Sequence, residues 1–209
     1  MAPSISHSHF MNPMASERPK GASRFECWAP KLRRRVTLFD PFQVRLWALL
    51  ESSPRVITYC ERPAFWRRDK GQQLVDFWVK VGRREVCWIV TSKLQPARAG
   101  YLSPDDDTSV RYVHVQSLAS HNVWIENWMR ILPYLSSNER FVSKKLLADV
   151  EQATSSAPTL GQIERDFQPH DTVLVRTAAF MLLHKGKVKA ESLRDQPLGP
   201  AIVLRRTPA

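Results

Sequence analysis

Two charged side chains stand at the ends of neighbouring apolar segments, where a substrate could meet them. Asp76 lies within the first segment, residues 74–81, and Lys93 follows the second, residues 85–91. The short glycine-containing basic turn between the segments predicts an antiparallel hairpin. A carboxylate and an ammonium at such strand ends either carry chemistry or belong to two strand ends that only reach water.

The charge balance favours a polyanionic partner. The chain has 209 residues, with 31 Lys and Arg against 20 Asp and Glu, a net charge of +11. Lys and Arg gain affinity for phosphates by releasing counterions, so nucleic acid is the first partner expected. No apolar run approaches the roughly 20 residues of a spanning helix, which predicts no membrane association. The first residues lack the apolar stretch of a secretory signal, so a cytoplasmic location is expected.

Two basic clusters, KLRRR and WRRDKGQ, flank the predicted strands. Charge runs are usually solvated faces, but the overall positive charge makes phosphate contact an equal alternative. The side chains predicted to contact DNA are Arg33, Arg34, Arg35, Arg67, Arg68 and Lys70.

Cysteine and tryptophan usage indicates structural roles. The three cysteines lack paired spacing, which predicts neither a disulfide framework nor a zinc site. The seven tryptophans fall within apolar strands and helices, which predicts core packing rather than a platform for base stacking. Surface exposure is left open for Trp66, beside the RRDK string.

The first part of the chain predicts an α/β domain. Residues 1–24 are polar and rich in Pro and Ser, which predicts a disordered basic tail. In residues 25–136, Asp40 before Pro41 predicts a helix N-terminus. Three strands, a loop rich in Pro and Gly, and a fourth strand are then predicted. Pro133 and the polar residues after it predict the domain boundary.

Residues 137–209 are predicted to form a second, mostly helical domain. Thr159 and Gln162 have the capping-box spacing, and Asp171 and Gly186 are typical of the start and end of a helix. Two short strands are predicted at 187–190 and 201–206. Three helices followed by a strand pair predict a winged helix, with a generic helical unit and hairpin as the alternative.

Several strings together resemble the TnsA-type endonucleases of heteromeric, Tn-seven-like transposons, over nearly the whole chain. YCERP at 59–63, VDF at 75–77 and WIVTSK at 88–93 are similar to the family's strand ends. NVWIENWMRILPYL and LLHKGKVKAESLRDQPLGPAIVLRR are similar to its later helix and C-terminal hairpin region. The order and spacing of these strings carry the resemblance.

The resemblance implies a restriction-endonuclease-like, mixed-sheet core followed by a winged-helix domain. In such cores carboxylates hold Mg²⁺, which activates an attacking water, and a Lys stabilises the developing charge. Asp76 matches the family's metal-binding Asp and Lys93 its Lys. Gln43 falls where the family has a helix Glu, and Thr91 where it has a Glu or Gln.

Gln43 and Thr91 predict an impaired site, because an amide or hydroxyl oxygen holds a hard cation more weakly than a carboxylate does. Whether the chain cleaves DNA stays open, and Mg²⁺ is expected to bind weakly or not at all. The implied partners are duplex DNA at transposon ends, a transposase and an ATPase regulator. The alternative function is a stand-alone winged-helix DNA-binding regulator that uses its first domain as a scaffold.

Overall fold

The computed structural model describes residues 10, 12–14, 18–68, 71–93, 98–101 and 108–208, with the backbone alone at 67, 68 and 98–101. The chain forms two compact units. The first unit comprises Met1–Leu50 and Arg55–Ser120, and the second comprises Glu51–Pro54 and His121–Ala209.

The elements before residue 121 are mostly strands. They are β1 Phe25–Ala29, β2 Arg34–Leu38, α1 Pro41–Ser52, β3 Val56–Glu61, β4 Phe65–Arg68, β5 Gly71–Leu74, β6 Phe77–Val81, β7 Arg84–Thr91, β8 Arg98–Tyr101, β9 Ser109–His114 and α2 Val115–Ala119. Helix α1 begins as predicted, since an Asp40 carboxylate oxygen accepts from the Phe42 N–H at 2.7 Å.

A five-stranded sheet in the order β3-β6-β7-β9-β8 organises the first unit. β7 and β9 run parallel, and the other neighbouring pairs are antiparallel. The prediction of an α/β chain is confirmed, as is the hairpin of β6 and β7. The segment predicted as a loop at 95–107 contains strand β8, and its remaining residues lie outside the described part of the chain.

Apolar side chains cover both faces of this sheet. On one face, Trp47 of α1 donates a hydrogen bond of 2.8 Å to the buried Tyr59 hydroxyl. On the other face, Cys60, Trp78 and Cys87 lie side by side in register. The cysteines are free thiols, as predicted. Strands buried on both faces are dominated by apolar residues, which explains why Asp76 stands out in the sequence.

Two hairpins and one buried aromatic residue of the structure were not predicted. β1 pairs with β2, and β4 pairs with β5, each as a two-stranded antiparallel sheet. Phe10, within the predicted disordered tail, is 2% exposed and stacks on Trp78 with ring centroids 5.9 Å apart. The average composition of a polar segment does not reveal a single aromatic residue that joins the core.

The second unit is helical, with a short strand pair near its end. Its elements are α3 Asn122–Asn138, α4 Lys144–Ala153, α5 Leu160–Asp166, α6 Thr172–His184, β10 Val188–Lys189 and β11 Arg205–Arg206, with short 3-10 helices at Glu139–Phe141, Thr154–Ser156 and Glu191–Arg194. The predicted capping box and the Asp171 cap are both present. α6 packs against α3, α4 and α5 and buries most of its residues.

The division between the units falls earlier than the predicted boundary at 136/137. Pro133 lies inside α3, which continues to Asn138. Pro133 cannot donate the helix bond to the Met129 carbonyl, but both residues lie on the exposed side of α3, where water has access to that carbonyl.

Asn127 of α3 holds the segment between β10 and β11. Its amide group donates to the Leu193 and Gln196 carbonyls at 2.8 Å each, and its oxygen accepts from the Leu198 N–H at 2.7 Å. Asn127 is 2% exposed. A buried amide with this many partners fixes the segment firmly.

Among the described residues, none of the helices combines the length and the apolar character needed to cross a membrane.

Candidate active site

Gln43 and Asp76, predicted as site residues from distant parts of the sequence, are in direct contact. The Gln43 side-chain amide donates a hydrogen bond of 2.6 Å to Asp76 Oδ1. Gln43 lies in the first turn of α1, and Asp76 lies just before β6. The first turn of α1 therefore delivers an N–H group to the carboxylate.

The orientation of the Gln43 amide is set by its other partner. The Phe39 N–H donates to Gln43 Oε1 at 2.9 Å. A flipped amide would place its NH₂ group against that N–H and its oxygen against the Asp76 carboxylate, so both contacts would be repulsive. Gln43 thus bridges a backbone donor and a carboxylate, a role for which an amide is suited and a carboxylate is not.

The second oxygen of Asp76 is also occupied. The Val90 N–H of β7 donates to Asp76 Oδ2 at 2.6 Å. Burial raises the pKa of Asp76 to about 6, against the lowering effect of the bonds from Val90 and Gln43 and with a small further rise from the nearby Asp40 carboxylate. The Asp76 backbone donates to the Trp88 carbonyl and accepts from the Arg62 N–H, so the residue continues the sheet.

Thr91 and Lys93 lie at the end of β7 and contact each other. Thr91 Oγ1 accepts from the Lys93 N–H at 3.0 Å, a local turn bond that ends the strand. The Lys93 side chain is exposed, and no carboxylate of the described residues lies within ion-pairing distance of its ammonium group. The structure therefore brings Gln43 and Asp76 together and shows no Asp76–Lys93 ion pair.

The three predicted DNA-contacting arginines of the first basic cluster have different environments. Arg34 makes a two-pronged ion pair with Glu61, at 2.8 and 2.6 Å, and Glu61 is 2% exposed. Arg33 and Arg35 are exposed. Of the second cluster, the Arg67 and Arg68 side chains and the whole of Lys70 lie outside the described residues.

Two residues outside the predicted set of site residues support this site. Glu61 anchors Arg34 at the end of β3, and Arg62 follows it with a positive φ of 47°. The Arg62 side chain donates to the Thr37 carbonyl and lies over the Phe39 ring, and burial lowers its pKa. The string CERP could have indicated this ion pair, because an acidic residue at the end of an apolar strand needs a partner when it is buried.

The donor set around Asp76 does not fit the magnesium ion that the resemblance implies. Mg²⁺ is held by oxygen ligands, and in many sites by more than one carboxylate. Here both Asp76 oxygens accept N–H groups, and the Gln43 group that faces Asp76 is a donor. Within the described residues, no group of three or more His, Cys, Asp or Glu is placed to hold a metal.

The chain matches no protein-family model, and a search of curated proteins finds no relative.

Proposed function

We propose that this chain is a TnsA-like subunit of a heteromeric transposase that binds duplex DNA at transposon ends and does not itself cleave it. The observation that carries the proposal is the hydrogen bond from Gln43 to Asp76. It occupies the place where the resemblance expects two carboxylates joined by a metal. The amide at this position donates a hydrogen bond to the Asp76 carboxylate, so the carboxylate needs no cation as a partner. The local fold is therefore kept without the metal ion that hydrolysis would require.

The order of elements in the first unit supports a restriction-endonuclease-like core. α1 is followed by the antiparallel strands β3, β6 and β7, and then by β9 parallel to β7. Asp76 precedes β6 and Lys93 follows β7, as the resemblance requires. The described part of the β7–β9 connection contains the edge strand β8, where cores of this kind usually carry a helix.

The features of the second unit favour contact with partner proteins over recognition of a DNA sequence. α4, α5 and α6 are followed by the β10–β11 pair, and a bridge joins Thr159 to Val203, an arrangement similar to a winged helix. α6 would be the helix that enters a DNA groove, but 8 of its 13 residues are buried. The same unit exposes the large apolar side chains Met129, Phe141 and Val173. These features favour protein partners, such as a transposase and an ATPase regulator, over a stand-alone regulator that reads DNA with α6.

Two assays on the full chain test the proposal. With Mg²⁺ or Mn²⁺, supercoiled plasmid is expected to stay intact, while short duplex DNA is bound with an affinity that falls steeply as salt rises. Asp76→Asn is the matched control, because it keeps the size of the side chain and removes its charge. If the unmodified chain nicks the plasmid and Asp76→Asn does not, the proposal that the chain has lost DNA cleavage is wrong. Absence of duplex binding contradicts the DNA-binding role.

A further inference from the structure

The β1–β2 hairpin has one buried face and one exposed face. Ala29, Val36 and Leu38 point inward and are at most 1% exposed. Because side chains alternate along a strand, Glu26 and Trp28 point outward from β1. Trp28 lies directly opposite Arg35 in the register.

Trp28 is unusual among the tryptophans of this chain. All seven lie within the described residues, and Trp28, at 42%, is the one that is exposed, while the other six are buried or partly buried. Trp66, for which the sequence left exposure open, is 8% exposed. The hairpin alternation, rather than a lack of room in the core, puts the Trp28 ring on the surface.

Arginines occupy hairpin positions close to Trp28 in the strand register. Arg35 is 76% exposed and lies 3.9 Å from the Glu26 carboxylate, which also pairs with Arg24. Arg33 is exposed in the turn, with a positive φ of 52°. Glu26 is the one acidic residue between positions 24 and 38, against four arginines and one lysine, so the hairpin keeps a net positive charge.

The hairpin is held rigidly against the sheet that carries Asp76. Arg34 points to the inner side and forms the two-pronged pair with Glu61 of β3. The Arg62 side chain donates to the Thr37 carbonyl of β2. Trp28, Arg33 and Arg35 are thus presented on a fixed support, which lowers the entropic cost of binding.

We propose that this face of the hairpin binds an unpaired nucleotide of DNA, with Trp28 stacking on the base and Arg33 and Arg35 contacting the neighbouring phosphates. The inference rests on the proposed function and names the form of DNA that the first unit takes. An aromatic ring flanked by cations matches a base flanked by phosphates. Within a duplex the flat faces of the bases are covered by neighbouring bases. An unpaired nucleotide exposes such a face, on which the Trp28 ring can stack.

The test measures binding of the full chain to three DNA probes: a blunt duplex of two separate strands, the same duplex with a short oligothymidine overhang, and the same duplex with an overhang that lacks bases. The thymidine overhang is expected to tighten binding by about tenfold, the gain typical of one base stacking on an aromatic side chain. The overhang without bases should give little of that gain. Trp28→Ala should lose the gain, and Trp28→Phe should keep most of it.

Phe65→Ala is the matched control, because Phe65 is another exposed aromatic of the same unit, 45% exposed on β4. It should leave the overhang gain unchanged, and thermal unfolding should show that each variant is folded. An overhang gain that survives Trp28→Ala, or that appears equally without bases, overturns the inference while duplex binding still supports the proposed function. Failure to bind any probe overturns both. An equal loss in Phe65→Ala also overturns the role of Trp28.

Discussion

The Gln43 amide donates to Asp76 Oδ1 at 2.6 Å, although the residues are 33 positions apart in the sequence. This bond joins the start of α1 to the start of β6 and fills the space between two positions where the resemblance expects carboxylates. A glutamate at position 43 would face Asp76 with a second negative charge. The residue type at position 43 therefore decides whether this site needs a cation.

Gln43→Glu is expected to make the fold dependent on a divalent cation. Without metal, the new carboxylate loses the bond to Asp76 and repels it, and the free energy of unfolding should fall by about 1–3 kcal/mol. Mn²⁺ should restore part of this loss. Gln43→Glu with Thr91→Glu should bind Mn²⁺ more tightly still in titration calorimetry, since each carboxylate adds a ligand.

Gln162→Glu is the control for this experiment, because Gln162 is an exposed side chain in a capping box that also accepts Glu. Its stability should not respond to Mn²⁺. If Gln43→Glu and Gln162→Glu respond alike in urea unfolding with and without Mn²⁺, position 43 does not control a cation site.

The raised pKa of Asp76 predicts a specific dependence of stability on pH. The folded-state pKa of about 6 lies above the ordinary value of 3.8, so the folded state holds its proton over a range where the unfolded state has lost it. The contribution of Asp76 is therefore most favourable below about pH 4, and it declines as pH rises toward about 6, by up to about 3 kcal/mol in total.

Asp76→Asn isolates this contribution, because the amide does not titrate. The stability of the native chain relative to Asp76→Asn should fall between about pH 4 and pH 6 and be constant above that range. Urea unfolding at closely spaced pH values measures the difference. Parallel profiles for the two proteins would show that Asp76 ionises normally.

Local signals in the sequence identified several features of the fold. The Thr159–Gln162 capping box, the Asp171 cap and the β6–β7 turn depend on residues within a few positions of one another, so the sequence is sufficient to find them. The Gln43–Asp76 contact was anticipated only as a shared site. Its hydrogen bonds depend on how α1 packs on the sheet, which no local pattern specifies.

The hairpin of β1 and β2 shows why the surface was harder to predict. The cations of the KLRRR string stand between the two strands, and they obscure the alternation of buried and exposed residues on either side. Once Trp28 and Arg35 are paired across the strands, exposure of Trp28 follows from the buried positions of Ala29 and Val36. The turn itself is also hard to predict from the sequence, because Arg33 has a positive φ and residues with a positive φ in turns are usually Gly or Asn.

Arg34 and Arg35, adjacent in sequence, are expected to behave differently when changed to Ala. Arg34→Ala leaves the buried Glu61 carboxylate without its cation and should cost about 3 kcal/mol, the lower end for a broken buried pair because Arg34 is 32% exposed. Arg35→Ala removes an exposed side chain and should change stability by less than about 0.5 kcal/mol.

DNA binding should reverse this order of effects. Arg33→Ala with Arg35→Ala should reduce the slope of log affinity against log salt by up to about 2, roughly one for each phosphate that an arginine no longer neutralises. Arg34→Ala should alter the slope little where the protein stays folded. An unchanged slope in the double variant would remove the exposed arginines of the hairpin from the DNA interface.

The extent of the second unit predicts which C-terminal fragment folds. α3 contributes Trp128, Ile131 and Leu135, each at most 3% exposed, and Asn127, which fixes the segment between β10 and β11. A fragment of residues 121–209 keeps these interactions and should unfold cooperatively in urea. Its stability should be below that of the unit in the full chain, because it lacks Glu51, the 2.8 Å partner of His184.

A fragment of residues 137–209 lacks nearly the whole of α3, leaves α6 uncovered on one side and should show no cooperative transition. Equal cooperativity of the two fragments, measured by circular dichroism, would mean that α3 is not part of this folding unit and that the boundary lies where Pro133 first suggested it.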